Sequence, residues 1–241
     1  MKEIWVEKYR PKSTQDYVWI DKDTKHMVET WIKDGYIPHL LLAGSAGAGK
    51  TTFFNLLLDL IQPSTGHITN NGIQADKSED WKTFTSSFID ESFLIGYLTP
   101  EEYFYFIGEL RGMNKADMDT FLEQFREIFN DEILSKKKYL RDLSKGNQKK
   151  VGVVGALMGK PELVVLDEPF ANLDPTTQIR LKQIIKDLAE SKGVTVLISS
   201  HDLMHVTDVC ERIVVLEKGE IVKDLETNAA TLKELEAHFA N

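Results

Sequence analysis

The stretch Gly44-Ser45-Ala46-Gly47-Ala48-Gly49-Lys50-Thr51 constrains this chain more than any other. It fits Gly-x-x-x-x-Gly-Lys-[Ser/Thr], and its flanks are those the pattern requires. The apolar run His39 to Ala43 before it reads as a strand buried on both faces, and a helix is predicted from Gly49 to about Leu60. Glycines let successive N–H groups curl around phosphate oxygens, and a helix N-terminus adds positive potential. Gly44, Ser45, Ala46, Gly47, Ala48 and Gly49 would form the cradle. Lys50 would reach the β- and γ-phosphates of a nucleotide, the Thr51 hydroxyl would ligate Mg2+, and Thr52 follows in the same turn.

The rest of the chain extends that unit. Apolar runs at Leu163 to Leu166, Val194 to Ile198 and Ile213 to Leu216 alternate with helical stretches after Pro175 and Asp202, and a turn is expected at Lys218-Gly219. Such alternation implies an α/β fold, a mainly parallel sheet covered by helices on both faces. After the loop helix, Pro63-Ser64-Thr65-Gly66 reads as a turn, with short strands at His67 to Thr69 and at Ile73 around Asn70-Asn71-Gly72. Thr83 to Asn130 holds eight of the 12 phenylalanines and predicts a small helical lobe. Thr99-Pro100-Glu101-Glu102 is a capping box with proline at the first helical position. Tyr103, Phe104 and Phe106, then Phe121, Phe125 and Phe129, recur at helical spacing. A packed core explains them first, and a surface for a partner second.

Composition removes several classes. At 241 residues, with 42% hydrophobic and 28% charged residues, the chain can bury a substantial core. No apolar stretch approaches the roughly 20 residues of a membrane span. The start, Met1-Lys2-Glu3-Ile4-Trp5, has no signal-peptide core behind it, so the expected location is cytoplasmic. The single Cys210 beside Val209 reads as a packed thiol. A formal charge of −9 argues against general nucleic-acid binding. Locally, Lys136, Lys137, Lys138, Arg141, Lys145, Lys149 and Lys150 face only one acid, Asp142. That run is either a solvated basic face or lies beside nucleotide phosphates.

Val164-Val165-Leu166-Asp167-Glu168 is an apolar strand ending in adjacent carboxylates, suited to hold Mg2+ through Asp167 and to direct a water through Glu168. Twenty residues earlier stands Leu143-Ser144-Lys145-Gly146-Asn147-Gln148, which alone would be an N-capping serine and a flexible glycine. Taken in order with Gly44 to Thr51, Leu163 to Pro169, Asn172-Leu173-Asp174 and Ile198-Ser199-Ser200-His201-Asp202, it resembles the ABC transporter ATP-binding family over about residues 47 to 225. That family's signature Leu-Ser-Gly-Gly-Gln precedes its acidic strand in this manner. The resemblance implies a P-loop NTPase fold, ATP and Mg2+ as cofactors, and ATP hydrolysis. It implies that Ser144 and Gly146 present a helix N-terminus to the γ-phosphate held by a second copy, in a head-to-tail ATP-dependent dimer. Asp174 then looks like the residue that communicates across that dimer, and His201 like the switch histidine that acts with Glu168 on the water. A transporter membrane subunit is the further partner, which would make the chain peripheral at the inner membrane face. Two positions depart from the pattern: Asn147 replaces the signature glutamine, and Asp90, in Ser87-Phe88-Ile89-Asp90-Glu91, stands where a glutamine is usual. Asp90 is accordingly a third candidate metal ligand.

Residues 1 to about 38 do not read as the β-hairpin that normally enters such a domain. A helix is predicted from Asp23 to Asp34, and Trp5-Val6-Glu7-Lys8-Tyr9-Arg10-Pro11-Lys12 resembles the start of an AAA+ clamp loader. In that family a Tyr-Arg-Pro segment and a following valine bracket adenine, here Tyr9, Arg10, Pro11 and Val18. The likeness stops downstream: the acidic strand lies 117 residues beyond Lys50, and no Ser-Arg-Cys motif follows. The expected organisation is a clamp-loader-like segment at 1–46 and an ABC-type core at 47–241, with the helical lobe at about 92–158 and a junction in the phosphate loop. Two other readings remain: a nucleotide-binding scaffold without turnover or transport, and a clamp-loader-type DNA-dependent ATPase, which the acidity opposes.

Overall fold

The structure is a computed structural model that describes residues 40–44 and 47–239. The predicted helix from Asp23 to Asp34, His39, the adenine-bracketing set Tyr9, Arg10, Pro11 and Val18, and Ser45 and Ala46 of the loop lie outside the described residues. Contacts divide the chain into two compact units, one up to Trp81 together with Ser199 onward, the other Lys82–Ile198.

In the first unit, β1 (Leu40–Ala43) leads into the glycine-rich loop and α1 (Lys50–Leu57). The helix ends three residues before the predicted Leu60. Asp59 takes a left-handed φ of 54°, and the Leu60 N–H turns back to Asn55 O at 2.8 Å. A two-stranded ribbon follows, β2 (Thr69–Asn70) and β3 (Ile73–Gln74). Its turn is Asn71-Gly72, with φ of 50° and 77°, the left-handed pair that a two-residue hairpin needs.

The later strands of this unit are β7 (Arg212–Glu217) and β8 (Glu220–Glu226), numbered after three strands of the other unit. β1 pairs parallel with β7, from Leu40 opposite Arg212 to Ala43 opposite Val215. Leu42, Ala43, Ile213, Val214 and Val215 are almost wholly buried, as a strand covered on both faces requires. β8 runs antiparallel to β7, a strand that the alternation of apolar runs does not announce. The Lys218-Gly219 turn, both residues left-handed, closes that hairpin. Helix α7 (Leu203–Val209) precedes β7, and α8 (Thr231–Phe239) follows β8. His238 Nε2 and Glu217 Oε1 are 2.8 Å apart, and Lys223 meets Glu234 at 2.6 Å, so α8 is held to both strands of the hairpin.

The second unit holds β4 (Thr85–Phe88), β5 (Leu163–Asp167) and β6 (Thr195–Ser200), in that lateral order, with β4 and β5 parallel. The chain passes back to the first unit within β6. Five helices accompany them: α2 (Pro100–Leu110), α3 (Lys115–Glu123), α4 (Arg126–Phe129), α5 (Lys145–Ala156) and α6 (Pro175–Lys192). The capping box of α2 forms as its sequence requires: Glu102 N–H donates to Thr99 Oγ1, and Thr99 N–H to Glu102 Oε2 at 2.8 Å.

The aromatics of the lobe differ in burial, with Phe121 half-buried. Tyr103, Phe104, Phe125 and Phe129 are buried, with the Phe104 and Phe129 rings 5.5 Å apart, and form the lobe's core. Phe93, Tyr97 and Phe106 remain exposed. Gly152 lets α5 approach β4 closely, since a Cβ there would lie 2.0 Å from the Phe88 ring. Arg111, one residue past α2, donates to the carbonyls of Lys82, Thr83 and Thr85, which ties the helix end to the start of β4. Cys210 is buried, and burial pushes its thiol up to about 12. No helix among the described residues is long and apolar enough to cross a membrane.

Candidate functional site

The phosphate loop of the first unit is shaped by backbone. A Cβ on Gly44 would stand 2.3 Å from Leu216 O, so only glycine fits where β1 opens into the loop. Gly47 and Gly49 have φ of 82° and 106°, values glycine adopts without a Cβ clash. Gly49 is also the N-cap of α1 and adds no side chain of its own, and Phe53 N–H closes the first helical bond on its carbonyl at 2.9 Å. The turn after β7 braces the loop, Gly219 N–H donating to Ala48 O at 2.8 Å. Lys50 is buried and its Nζ donates to Gly44 O at 2.7 Å, which holds the cation over the curl of the loop. Thr51 is half-buried and Thr52 buried on the same helix.

His201, in the same unit, follows the last residue of β6 and is exposed. The turn that carries it is fixed on both sides. Asp202 N–H donates to Ser200 Oγ at 3.0 Å, and the Asp202 carboxylate accepts Met204 N–H at 2.9 Å where α7 begins.

In the second unit, Asp167 closes β5 and is buried, and the next residue bends sharply. Glu168 has φ of 47° and precedes Pro169. A left-handed residue with a side chain costs about 1–3 kcal/mol, and a following proline narrows its choices further. The Glu168 carbonyl accepts Ala171 N–H at 3.2 Å and Lys149 Nζ at 2.9 Å.

The signature segment opens α5. Ser144 is its N-cap, with Oγ accepting Asn147 N–H at 3.2 Å, so the capping reading of this serine holds. A Cβ at Gly146 would meet Asn172 O at 2.6 Å, which makes that glycine a condition for helix and loop to approach. Asp174 caps α6, its carboxylate accepting Thr177 N–H at 2.9 Å and Thr177 O–H at 2.6 Å. Those two bonds, with Lys150 beside them, hold its carboxyl down to about 2.

Asp90 is engaged as a cap. Its Oδ1 accepts Ser92 N–H at 2.7 Å at the head of the Glu91–Phe93 turn, and hydrogen bonds from the Ser92 side chain and backbone hold its carboxyl below the usual range.

The basic run from Lys136 to Lys150 is neither uniformly solvated nor uniformly a phosphate face. Lys136, Lys137, Lys138, Arg141 and Lys145 are exposed, whereas Lys149 and Lys150 are each 6% exposed. Lys149 Nζ also lies 3.4 Å from Glu91 Oε1, and Lys150 Nζ lies 3.5 Å from Asp174 Oδ2. Sequence reasoning passed over Lys149, Lys150 and Glu91 as individual site residues. The available signal was that both lysines adjoin the apolar turn Val151, Val153 and Val154, which is no place for an unpartnered cation.

A glycine-shaped phosphate loop between a parallel strand and a helix, in a chain that also carries an acidic strand end, defines a P-loop NTPase. Residues 34–171 match the family model described as ABC transporter. An uncharacterised ABC transporter ATP-binding protein of Alkalihalophilus pseudofirmus is 34% identical over 210 residues, covering 83% of this chain and 72% of that protein. Among solved structures, the ATP-binding subunit of an ABC transporter superposes with a TM-score of 0.73 at 26% identity, over 84% of this chain and 88% of that one. A dimeric ATP-binding cassette in a post-hydrolysis state, bound to ADP and phosphate, superposes with a TM-score of 0.68 at 23% identity, over 82% and 88% of the two chains, and shows the same fold. The chain belongs to the ABC transporter family, with the ABC ATPase fold of a mostly parallel sheet flanked by helices. It is an ATPase of that class.

Proposed function

We propose that this chain hydrolyses Mg-ATP with Lys50, Thr51 and Asp167 holding the nucleotide and metal, and with Glu168 and His201 acting on the attacking water. The observation that carries the reading is the loop itself: its glycines, its left-handed turns and the inward Lys50 build a phosphate cradle out of backbone. Gly44, Ser45, Ala46, Gly47, Ala48, Gly49 and Thr52 complete the phosphate contacts. Among the described residues no cluster of three or more His, Cys, Asp or Glu could cage a metal by itself. The donors assigned here, one hydroxyl and one carboxylate, are few and hard. That set suits Mg2+, which takes the rest of its oxygens from phosphates and water. Asp90, ionised and capping its turn through Oδ1, is a third candidate ligand for that ion.

The active form is a head-to-tail dimer in which Ser144 and Gly146 of one copy face the γ-phosphate bound by the other, a reading supported by the dimeric state of a similar cassette. A transporter membrane subunit docks on the exposed Phe93 and Tyr97, at and beyond the end of the Glu91–Phe93 turn, because exposed aromatics mark contact surfaces. That would place the chain on the cytoplasmic side of a membrane. Residues 1–46 are a clamp-loader-like lead-in, with Tyr9, Arg10, Pro11 and Val18 bracketing adenine, joined to the ABC-type core. The family match begins at residue 34 and runs through that junction.

Phosphate release from ATP by the purified chain tests the central assignment. Turnover should disappear when Mg2+ is chelated and fall by about 10²- to 10⁴-fold in Glu168→Gln, the range for losing a positioned acid or base. Equal, near-zero rates in both proteins would leave only a nucleotide-binding scaffold.

A further inference from the structure

The loop from Glu168 to Asp174 carries the acid assigned to the water, and side chains from outside it bond to its backbone. Glu168 is left-handed and precedes a proline, and within the loop its carbonyl accepts Ala171 N–H at 3.2 Å. The shorter bond comes from outside, from Lys149 Nζ at 2.9 Å. A cation as buried as Lys149 persists only where partners compensate its lost hydration. Its charge also acts on Asp90, and its two nearest partners are of different kinds. The Glu168 carbonyl takes a hydrogen bond, whereas Glu91 Oε1, at 3.4 Å, has no hydrogen bond of good geometry and supplies opposite charge alone. The next lysine holds the other end of the loop, Lys150 against Asp174, and Gly146 leaves room for Asn172 O between them. Helix α5 thus holds the loop at its start and end, while Gln178 of α6 donates to Phe170 O at 3.0 Å in its middle.

We propose that Lys149, charge-balanced by Glu91, is a positioning residue for Glu168. By fixing the Glu168 carbonyl it fixes the peptide from which the carboxylate projects. The acid therefore meets the water in one orientation. The inference rests on the reading of Glu168 as the residue that works on the water.

The test compares the full chain with Lys149→Met, Lys149→Arg, Glu91→Gln, the double variant Lys149→Met/Glu91→Gln and the exposed control Lys138→Met. The readouts are phosphate release, ATP-analogue affinity, and amide hydrogen exchange across residues 168–174. Lys149→Met should lower kcat by about 10- to 100-fold with KM for ATP within about threefold, as expected when a reacting group is misplaced by a fraction of an ångström. Exchange across the loop should rise about tenfold. Lys149→Arg should recover most of kcat, Glu91→Gln should lose only about threefold, and Lys138→Met should change neither readout. The double variant leaves no unpaired buried carboxylate, so it should stay folded and keep the kcat of Lys149→Met.

The proposal is overturned if folded Lys149→Met or the double variant keeps kcat within about twofold of the parent, if the loss lies in KM alone, or if loop exchange is unchanged. Should the parent itself release no phosphate, the assignment of Glu168 fails while loop exchange still decides. Unchanged exchange then removes Lys149 as the support of the loop as well, and raised exchange retains that support alone while its catalytic purpose falls with Glu168.

Discussion

The phosphate loop and the acidic loop hold functional residues in opposite ways. From Gly44 to Lys50 the chain is shaped by what is missing, since glycines permit turns that a Cβ would forbid, and the buried cation folds onto the loop's own carbonyl. From Glu168 to Asp174 the loop is held by side chains from outside it, with Lys149 and Lys150 of α5 reaching its two ends and Gln178 of α6 donating to Phe170 O at 3.0 Å. A cradle built from backbone, braced by the Gly219 N–H on Ala48 O, suits binding. A loop held by salt-bridged lysines depends on its neighbours and suits a step that must be switched. On the function proposed above, the first loop serves phosphate binding and Glu168 in the second serves turnover.

Removing the cation is the strongest challenge to the first half of that contrast. Lys50→Met should weaken ATP binding by about 100-fold, the scale of losing one charge-assisted contact to phosphate, as read by fluorescence titration. Unchanged affinity would show that the loop is not the binder.

Gly44→Ala should cost about 1–3 kcal/mol in urea denaturation, because the added methyl meets a backbone oxygen, Leu216 O, that cannot rotate away. A neutral result would mean that the loop is softer than its contacts imply.

The acidic loop has a smaller, pH-dependent signature. Asp174→Ala should cost about 1 kcal/mol through its lost N-cap at neutral pH. The Asp174 carboxyl is held at about 2, below its ordinary 3.8, so its contribution is fully present above pH 3.8 and is lost as pH falls from there through about 2. Melting temperature followed from pH 5 to 2 should therefore fall more steeply in the parent than in the variant, and parallel curves would remove Asp174 as a contributor.

The same contrast explains what is legible in the sequence. The phosphate loop, the capping box at Thr99 and the acidic end of β5 are local patterns whose physics lies within a few residues, and the order of residues alone displays all three. The structural roles of Lys149 and Lys150 are not displayed there, because they are set by Glu91, Glu168 and Asp174, partners from 19 to 58 positions away in the chain. Asp90 reads as a metal-ligand candidate by position, while its cap on Ser92 emerges only with the turn geometry. The strand β8 is hidden because Glu220-Ile221-Val222-Lys223-Asp224-Leu225-Glu226 is charged, and it joins the sheet through the Lys218-Gly219 hairpin and the Arg212–Asp224 pair instead of an apolar run.

The division between binding and turnover is tested most directly by equilibrium binding of a fluorescent ATP analogue, with Mg2+, to the parent chain and to Glu168→Gln. The expected result is a Kd within about threefold of the parent, since that carboxylate works on the water and not on the phosphates. An affinity that collapses in Glu168→Gln would make the acidic loop part of the binding cradle and contradict the account.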